Sequence, residues 1–233
     1  MKPHVTCHML MSVDGRILSS RWRPKENRGG DLFERLHEKL GGGSWLVGRV
    51  TGQEFAKGPD GGYPDREGPA PARETRVLRR DAKAYAVVLD AHGKIAWGMA
   101  EIDGDPIVVV LTQQVSDAHL KGLEADGVSW IFAGEAEVDL AAALETLNRE
   151  LGIERLMMEG GGGANGAVLR AGLIDALSLV VCPVVDGARG APSVFDSDEA
   201  HADAQAPVAG MTLQSCETLD GGFVWLRYTL QNG

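Results

Sequence analysis

Near-continuous runs of Val, Ile and Leu constrain the fold of this chain more than any other feature. "YAVVL" (85–89), "IVVVLT" (107–112), "VSWIF" (128–132) and "LSLVVCPVV" (177–185) show little polar alternation, as expected of strands buried on both faces. Between such runs lie helical stripes: Phe33, Leu36 and Leu40 in "DLFERLHEKLGGG", and Leu140, Leu144, Leu147 and Leu151 after an Asp139 cap. Asp31 and Glu34 have the form of a capping box, Gly41 that of a stop, and Ser116 opens a helix running to about Ala125. "HVTCHMLM" (4–11), "SWLVG" (44–48) and "RLMME" (155–159) read as further strands, and a helix is expected over 165–173. Ala56 to Arg80, rich in Pro, Gly and charge, reads as a long loop. "GMTLQSCETLDGGFVWLRYTL" alternates instead, predicting two antiparallel strands joined through "LDGG". The expected architecture is α/β, a three-layer α/β/α sandwich around a mostly parallel mixed sheet with a C-terminal antiparallel hairpin. Without an internal repeat or a linker, residues 1–233 are expected to form a single domain.

Charge and composition exclude several partners. A net charge of -10 argues against nucleic acid and against anionic membranes, which require a basic face. No run reaches the roughly 18 apolar residues of a membrane span, and "MKPHVTCHMLMSVDG" lacks the apolar core of a signal peptide, so a cytoplasmic location is expected. Cys7, Cys182 and Cys216 are odd in number and widely separated, which fits reduced core thiols. No metal is expected, since His4 and His8 on one strand would stand about 13 Å apart at roughly 3.3 Å per residue.

Glycine is the compositional outlier, with 31 residues in 233. Four of them are consecutive in "MEGGGGANGAVLRAGL" (158–173), between a strand and a helix. A helix start offers unpaired N–H groups and a positive dipole end to an anion, and residues without Cβ let a phosphate approach closely. A tight turn with close helix packing explains the same glycines. Gly161, Gly163 and Gly166 also satisfy G-x-G-x-x-G, with Asp186 about 20 residues further on, as in a Rossmann fingerprint. The surroundings oppose that fold: only about 47 residues follow Asp186, mostly loop and hairpin.

"MLMSVDGRI", "WLVGRVT" and "RLMMEGGGGANGAVLRAGLIDALSLVVCPVV" together resemble the riboflavin-biosynthesis pyrimidine reductase family, the reductase half of bifunctional deaminase-reductases. The resemblance spans residues 5 to about 195 and implies a fold similar to dihydrofolate reductase. It implies NADPH as cofactor, with Gly160, Gly161, Gly162, Gly163 and Asn165 near the pyrophosphate. Gly48, Arg49 and Thr51 look like the G-R-x-T that meets the adenosine-side phosphates, and Leu89 and Asp90 fall in the segment near the adenosine ribose. An Arg beside a 2′-phosphate would favour NADPH over NADH.

By the same resemblance, Ser12, Asp14 and Glu159 bind the substrate, with Asp14 and Glu159 as the catalytic pair. Carboxylates suit sugar hydroxyls because they accept several hydrogen bonds, and one can relay a proton. The implied reaction reduces a ribosylaminopyrimidinone 5′-phosphate to its ribitylamino form by hydride transfer to sugar C1′. Arg21, Arg23, Arg28, Arg66, Arg73 and Arg76 are candidates for the substrate phosphate, none of them singled out. The H-x-E and P-C-x-x-C zinc signature of the deaminase half is absent. A homodimer is implied, with "FVWLRYTL" offering an apolar face. Two other readings stay open: a reductase of this fold for another small imine, carbonyl or pteridine-like substrate, and a dinucleotide-binding protein without turnover.

Overall fold

The computed structural model describes residues 1–233. In chain order its strands are β1 (His4–Met11), β2 (Trp45–Gly48), β3 (Ala86–Leu89), β4 (Glu101–Ile102), β5 (Asp105–Leu111), β6 (Ser129–Phe132), β7 (Arg155–Met158), β8 (Ala176–Val181), β9 (Val208–Leu219) and β10 (Phe223–Asn232). The α-helices are α1 (Leu32–Lys39), α2 (Arg49–Phe55), α3 (Asp117–Asp126), α4 (Leu140–Leu151) and α5 (Gly162–Arg170). They belong to two compact units: Met1–Pro3 with Gly43–Leu156, and His4–Gly42 with Met157–Gly233. The first is called here the β3 unit and the second the β8 unit.

In the β3 unit, β2, β3, β5 and β6 pair in parallel, with Trp45 opposite Ala86, Ala86 opposite Ile107 and Val108 opposite Ser129. The short β4, not foreseen from the sequence, adds antiparallel to β5. Val88, Ile107, Val109, Leu111, Leu120, Leu123, Trp97 and Trp130 share one apolar core. Each side chain of this kind contributes roughly 1.5–3 kcal/mol when fully buried. Helices α3 and α4 begin where their caps predict: Ser116 Oγ accepts from the His119 amide, and Asp139 Oδ1 from the Ala142 amide.

The long loop before β3 contains no helix or strand, as expected, yet it is fastened along its length. Arg76 and Trp130 exchange backbone hydrogen bonds, and Trp130 Nε1 donates to the Glu74 carbonyl at 3.0 Å. The Tyr63 hydroxyl donates to Asp126 Oδ2 at 2.6 Å and accepts from the Trp97 amide at 3.0 Å. Gly122 on α3 leaves room for the Tyr63 ring, which a Cβ would strike. The ion pairs Arg73–Asp117 and Arg76–Glu124 are exposed, so each adds about 1 kcal/mol or less. The aromatic anchors hold the loop.

In the β8 unit, β1 pairs in parallel with β8, β8 antiparallel with β10, and β10 antiparallel with β9. The hairpin turns through Leu219–Gly222, as the alternation predicts. Trp22, Leu32, Leu36, Val180, Cys182, Phe223 and Trp225 form its core. Parallel and antiparallel pairs flanked by helices make this the mixed α/β, dihydrofolate-reductase-like fold.

Four local expectations are corrected. Asp31 makes no capping bond and instead pairs with Arg35, one turn along α1, at 3.3 Å. Strand β8 stops at Val181 instead of Val185: Pro183 has no N–H to continue a ladder, and Val184 N bonds back to the Cys182 carbonyl at 2.7 Å. Helix α5 starts at Gly162 rather than 165, so two of the four glycines are helical. Cys7 and Cys182 are core thiols, but Cys216 is exposed on β9. No helix is long and apolar enough to cross a membrane.

Candidate active site

The glycines after β7 have separate duties. Gly160 and Gly161 adopt φ of +150° and +75°, a backbone that L side chains rarely take. Gly162 and Gly166 lie against the 193–196 segment: a Cβ on the first would meet the Ser193 carbonyl oxygen, and one on the second that of Asp196. A Cβ on Gly163 would meet nothing within 4 Å. No side chain caps α5, so its first-turn amides, which lack intrahelical acceptors, keep the capacity to meet an anion.

Asn165 is buried beneath this turn. Its Nδ2 donates to the Val194 carbonyl at 2.9 Å, while Oδ1 has no partner. The side chain therefore ties α5 to the 193–196 segment. Asp186, the acidic residue of the rejected Rossmann pattern, receives Arg21 Nη2 at 2.7 Å and the Ala188 amide at 3.1 Å. It is a buried loop anchor.

Ser12 and Asp14 follow β1 in a turn closed by Gly15, whose φ is +77°. The Ser12 hydroxyl is buried and accepts the Arg16 amide at 2.9 Å. Asp14 is exposed, and its two carboxylate oxygens accept the Asp186 and Gly187 amides at 3.0 and 2.9 Å. The Ser12 hydroxyl, followed by the Gly187 and Asp186 amides, holds this carboxyl far below the usual carboxylate range. Asp14 is thus a fixed anion at neutral pH and an acceptor rather than a proton donor.

Glu159, between β7 and the glycines, is in another situation. Its Oε1 lies 2.6 Å from His37 Nδ1 on α1, with the side chains only 9% and 14% exposed. Behind this pair is a bonded core. His8 on β1 stacks on Phe33 at 4.5 Å, and its Nε2 lies 3.2 Å from the Phe33 carbonyl. Its Nδ1 lies 2.9 Å from Ser178 Oγ, which also accepts Trp225 Nε1 at 2.8 Å. Burial lowers the His8 pKa, and the neutral ring suits this relay, Ser178 O–H donating to Nδ1 and Nε2–H to Phe33. Burial, with Glu159 adding to it, pushes the Cys7 thiol up, so Cys7 is not a nucleophile.

The β3 unit carries a cleft of 720 Å³, lined by Arg49, Leu89, Asp90, His92 and Lys94 among others. Arg49 opens α2, while Leu89 ends β3 and Asp90 follows it. Asp90 Oδ2 accepts the Lys94 and Ile95 amides at 2.7 and 2.9 Å, and burial raises its pKa. Gly48 has φ −78° and ψ 167°, a conformation any residue adopts. Thr51, on α2, is not among the residues lining the cleft. Among His, Cys, Asp and Glu no group of three is placed to hold a metal ion.

The sequence brought Arg49 and Leu89 to one cleft, and Glu159 beside the glycines. It missed His37, Lys94 and the commitment of Asp14 to the 186–187 backbone. A signal for His37 existed: it follows Leu36 and stands one turn from Phe33, a polar residue on the inward stripe of α1.

Comparisons with known proteins extend over nearly the whole chain. A model of the RibD C-terminal domain matches residues 3–225. The 2,5-diamino-6-ribosylamino-4(3H)-pyrimidinone 5′-phosphate reductase of Methanothermobacter thermautotrophicus is 34% identical over 99% of this chain and 100% of its own length. Among solved structures, a pyrimidine reductase-like protein from Corynebacterium diphtheriae superposes with a TM-score of 0.66 at 16% identity, covering 99% of this chain and 93% of that one. The riboflavin biosynthesis reductase Rib7 of Saccharomyces cerevisiae gives 0.56 at 17% identity, covering 99% and 90%. These two likenesses speak to the fold, whereas the domain match and the full-length relative speak to descent. On that ground the chain belongs to the RibD-type pyrimidine reductase family, of which it carries the RibD C-terminal domain.

Proposed function

We propose that the protein is an NADPH-dependent reductase that converts a ribosylaminopyrimidinone 5′-phosphate to its ribitylamino form. The observation that carries this reading is the full-length similarity to a reductase of that name, joined to a largely buried carboxylate, Glu159, beside an uncapped helix start. Each unit, taken by itself, has a feature that suits the phosphates of a dinucleotide. Gly163 leaves room over the α5 amides for a pyrophosphate, in the turn Gly160, Gly161 and Gly162 begin, with Asn165 fixing the helix beneath. Arg49 and Lys94 supply cations to a cleft of suitable size, with Leu89 as an apolar wall and Gly48 and Thr51 flanking Arg49.

When bound, the reduced nicotinamide supplies the hydride for sugar C1′, and a proton goes to the sugar ring oxygen as the C1′–O bond opens. The protein's share is alignment and electrostatics. Ser12 and Asp14 orient hydroxyls, Asp14 as a permanent anion, and Glu159 is the carboxylate of the pair that relays the proton. The chain works as a homodimer, which sedimentation would test.

One observation favours a second reading, a reductase for a small imine, carbonyl or pteridine-like compound without the phosphate. Arg21, Arg73 and Arg76 are paired with Asp186, Asp117 and Glu124. NADPH absorbance followed with the ribosylaminopyrimidinone phosphate decides between the two; turnover only with unrelated carbonyls or imines rejects the first. Absence of binding at millimolar NADPH rejects both. Arg49→Ala should weaken NADPH on the order of tenfold or more with little effect on NADH; equal losses reject Arg49 as the 2′-phosphate ligand.

A further inference from the structure

We propose that His37 is a positioning residue for Glu159: its ring holds one carboxylate oxygen and leaves the other to face the substrate. The inference rests on the reading of Glu159 as the carboxylate at the reacting end. Three observations support it. The contact is short, at 2.6 Å, and both side chains are largely removed from water, unlike the exposed ion pairs elsewhere on the surface. The partners come from independent elements, α1 and the end of β7, 122 residues apart in sequence, so local geometry does not bring them together. The helix that delivers His37 is itself fixed, because His8 stacks on Phe33 and lies 3.2 Å from its carbonyl, one turn before His37.

A glutamate at a strand end has three side-chain torsions and no fixed reach. A hydrogen bond donated by Nδ1–H to Oε1 selects one arrangement and assigns the two oxygens different duties. A misplacement of about 1 Å at a reacting group can lower a rate on the order of 100-fold. His37 acts on the reaction through Glu159 and needs no contact of its own with substrate.

The test uses the full chain. His37→Ala should lower kcat for NADPH-dependent reduction of the ribosylaminopyrimidinone phosphate by about 10- to 100-fold, with KM for NADPH within about twofold. His37→Asn, whose amide nitrogen falls near the Nδ1 position, should recover to within about fivefold of wild type, whereas His37→Gln, with its donor displaced, should not. The Asn against Gln contrast stands even if the Ala variant does not fold. Proton NMR gives a readout independent of turnover: the His37 Nδ1–H signal should be protected from exchange in the free protein and lost in Glu159→Ala. Wild-type kcat in a folded His37→Ala, equal losses in Asn and Gln, or an unprotected Nδ1–H would overturn the assignment. Full turnover by Glu159→Ala would instead remove the catalytic reading of Glu159 itself, and the positioning role with it.

Discussion

The two units treat the same elements in opposite ways. Each has a strand running into a helix beside glycine, and each buries a histidine. At the β2–α2 junction Gly48 has an ordinary extended backbone, and the glycine that matters is Gly52, one turn into the helix, where a Cβ would come within 2.6 Å of Val88 Cγ1. At the β7–α5 junction Gly160 and Gly161 bend the chain through positive φ, and Gly162 and Gly166 repeat the packing role of Gly52. His8 of the β8 unit has a partner for each ring nitrogen, whereas His119 of the β3 unit, 1% exposed, has none for either. A glycine or a buried histidine therefore has no meaning apart from what surrounds it.

The largest test is Gly166→Ala. The added Cβ runs into the Asp196 backbone, which cannot turn aside as a flexible side chain would, and a loss of about 3 kcal/mol is expected in denaturant unfolding. A loss below about 0.5 kcal/mol would show that the 193–196 segment yields easily and that the two glycine classes are not distinct.

Acid sharpens the histidine contrast. Burial lowers the His119 pKa from 6.5 to about 4, so between these values the unfolded chain binds more protons than the folded one. Stability should be unaffected by this group above about pH 6.5, fall as pH drops through the window, and level off below about 4, with a total near 3 kcal/mol. His119→Leu should flatten that part of the curve measured by urea unfolding. An unchanged slope would assign the acid sensitivity to His8 or to carboxylates.

Two smaller effects complete the series. Gly52→Ala pushes on Val88 and Ile95 side chains, which can give, so about 1–2 kcal/mol is expected from thermal melts. Gly163→Ala has the opposite sign, with open space at the Cβ and Ala the better helix former: about 0.5–1 kcal/mol of stabilisation, with weaker NADPH binding by calorimetry. Unaltered NADPH affinity would detach Gly163 from the cofactor.

Much of this fold was legible because burial on both faces writes itself as Val/Ile/Leu runs, and because Ser116 and Asp139 cap helices through bonds only three residues long. The ladder stop before Pro183 and the pairing of Asp31 with Arg35 were not read correctly: a residue type permits several bonds, and neighbours in space choose among them. The same holds at the site. Glu159 was singled out through the family resemblance, and the structure sets it against His37. That partner was not legible, since nothing near residue 159 in sequence announces a helix beginning at Leu32. Asp14 looked like one of two equivalent carboxylates, and only the folded chain shows that both of its oxygens are committed to the Asp186 and Gly187 amides.

The seating of Gly162 and Gly166 against Ser193 and Asp196 bears on how such a string is inherited. Selection on folding alone would keep these two positions as glycine in a descendant that had stopped using any cofactor. Of the four glycines after β7, two are held by positive φ and one by the Ser193 carbonyl, so that Gly163 alone is under no constraint from the fold.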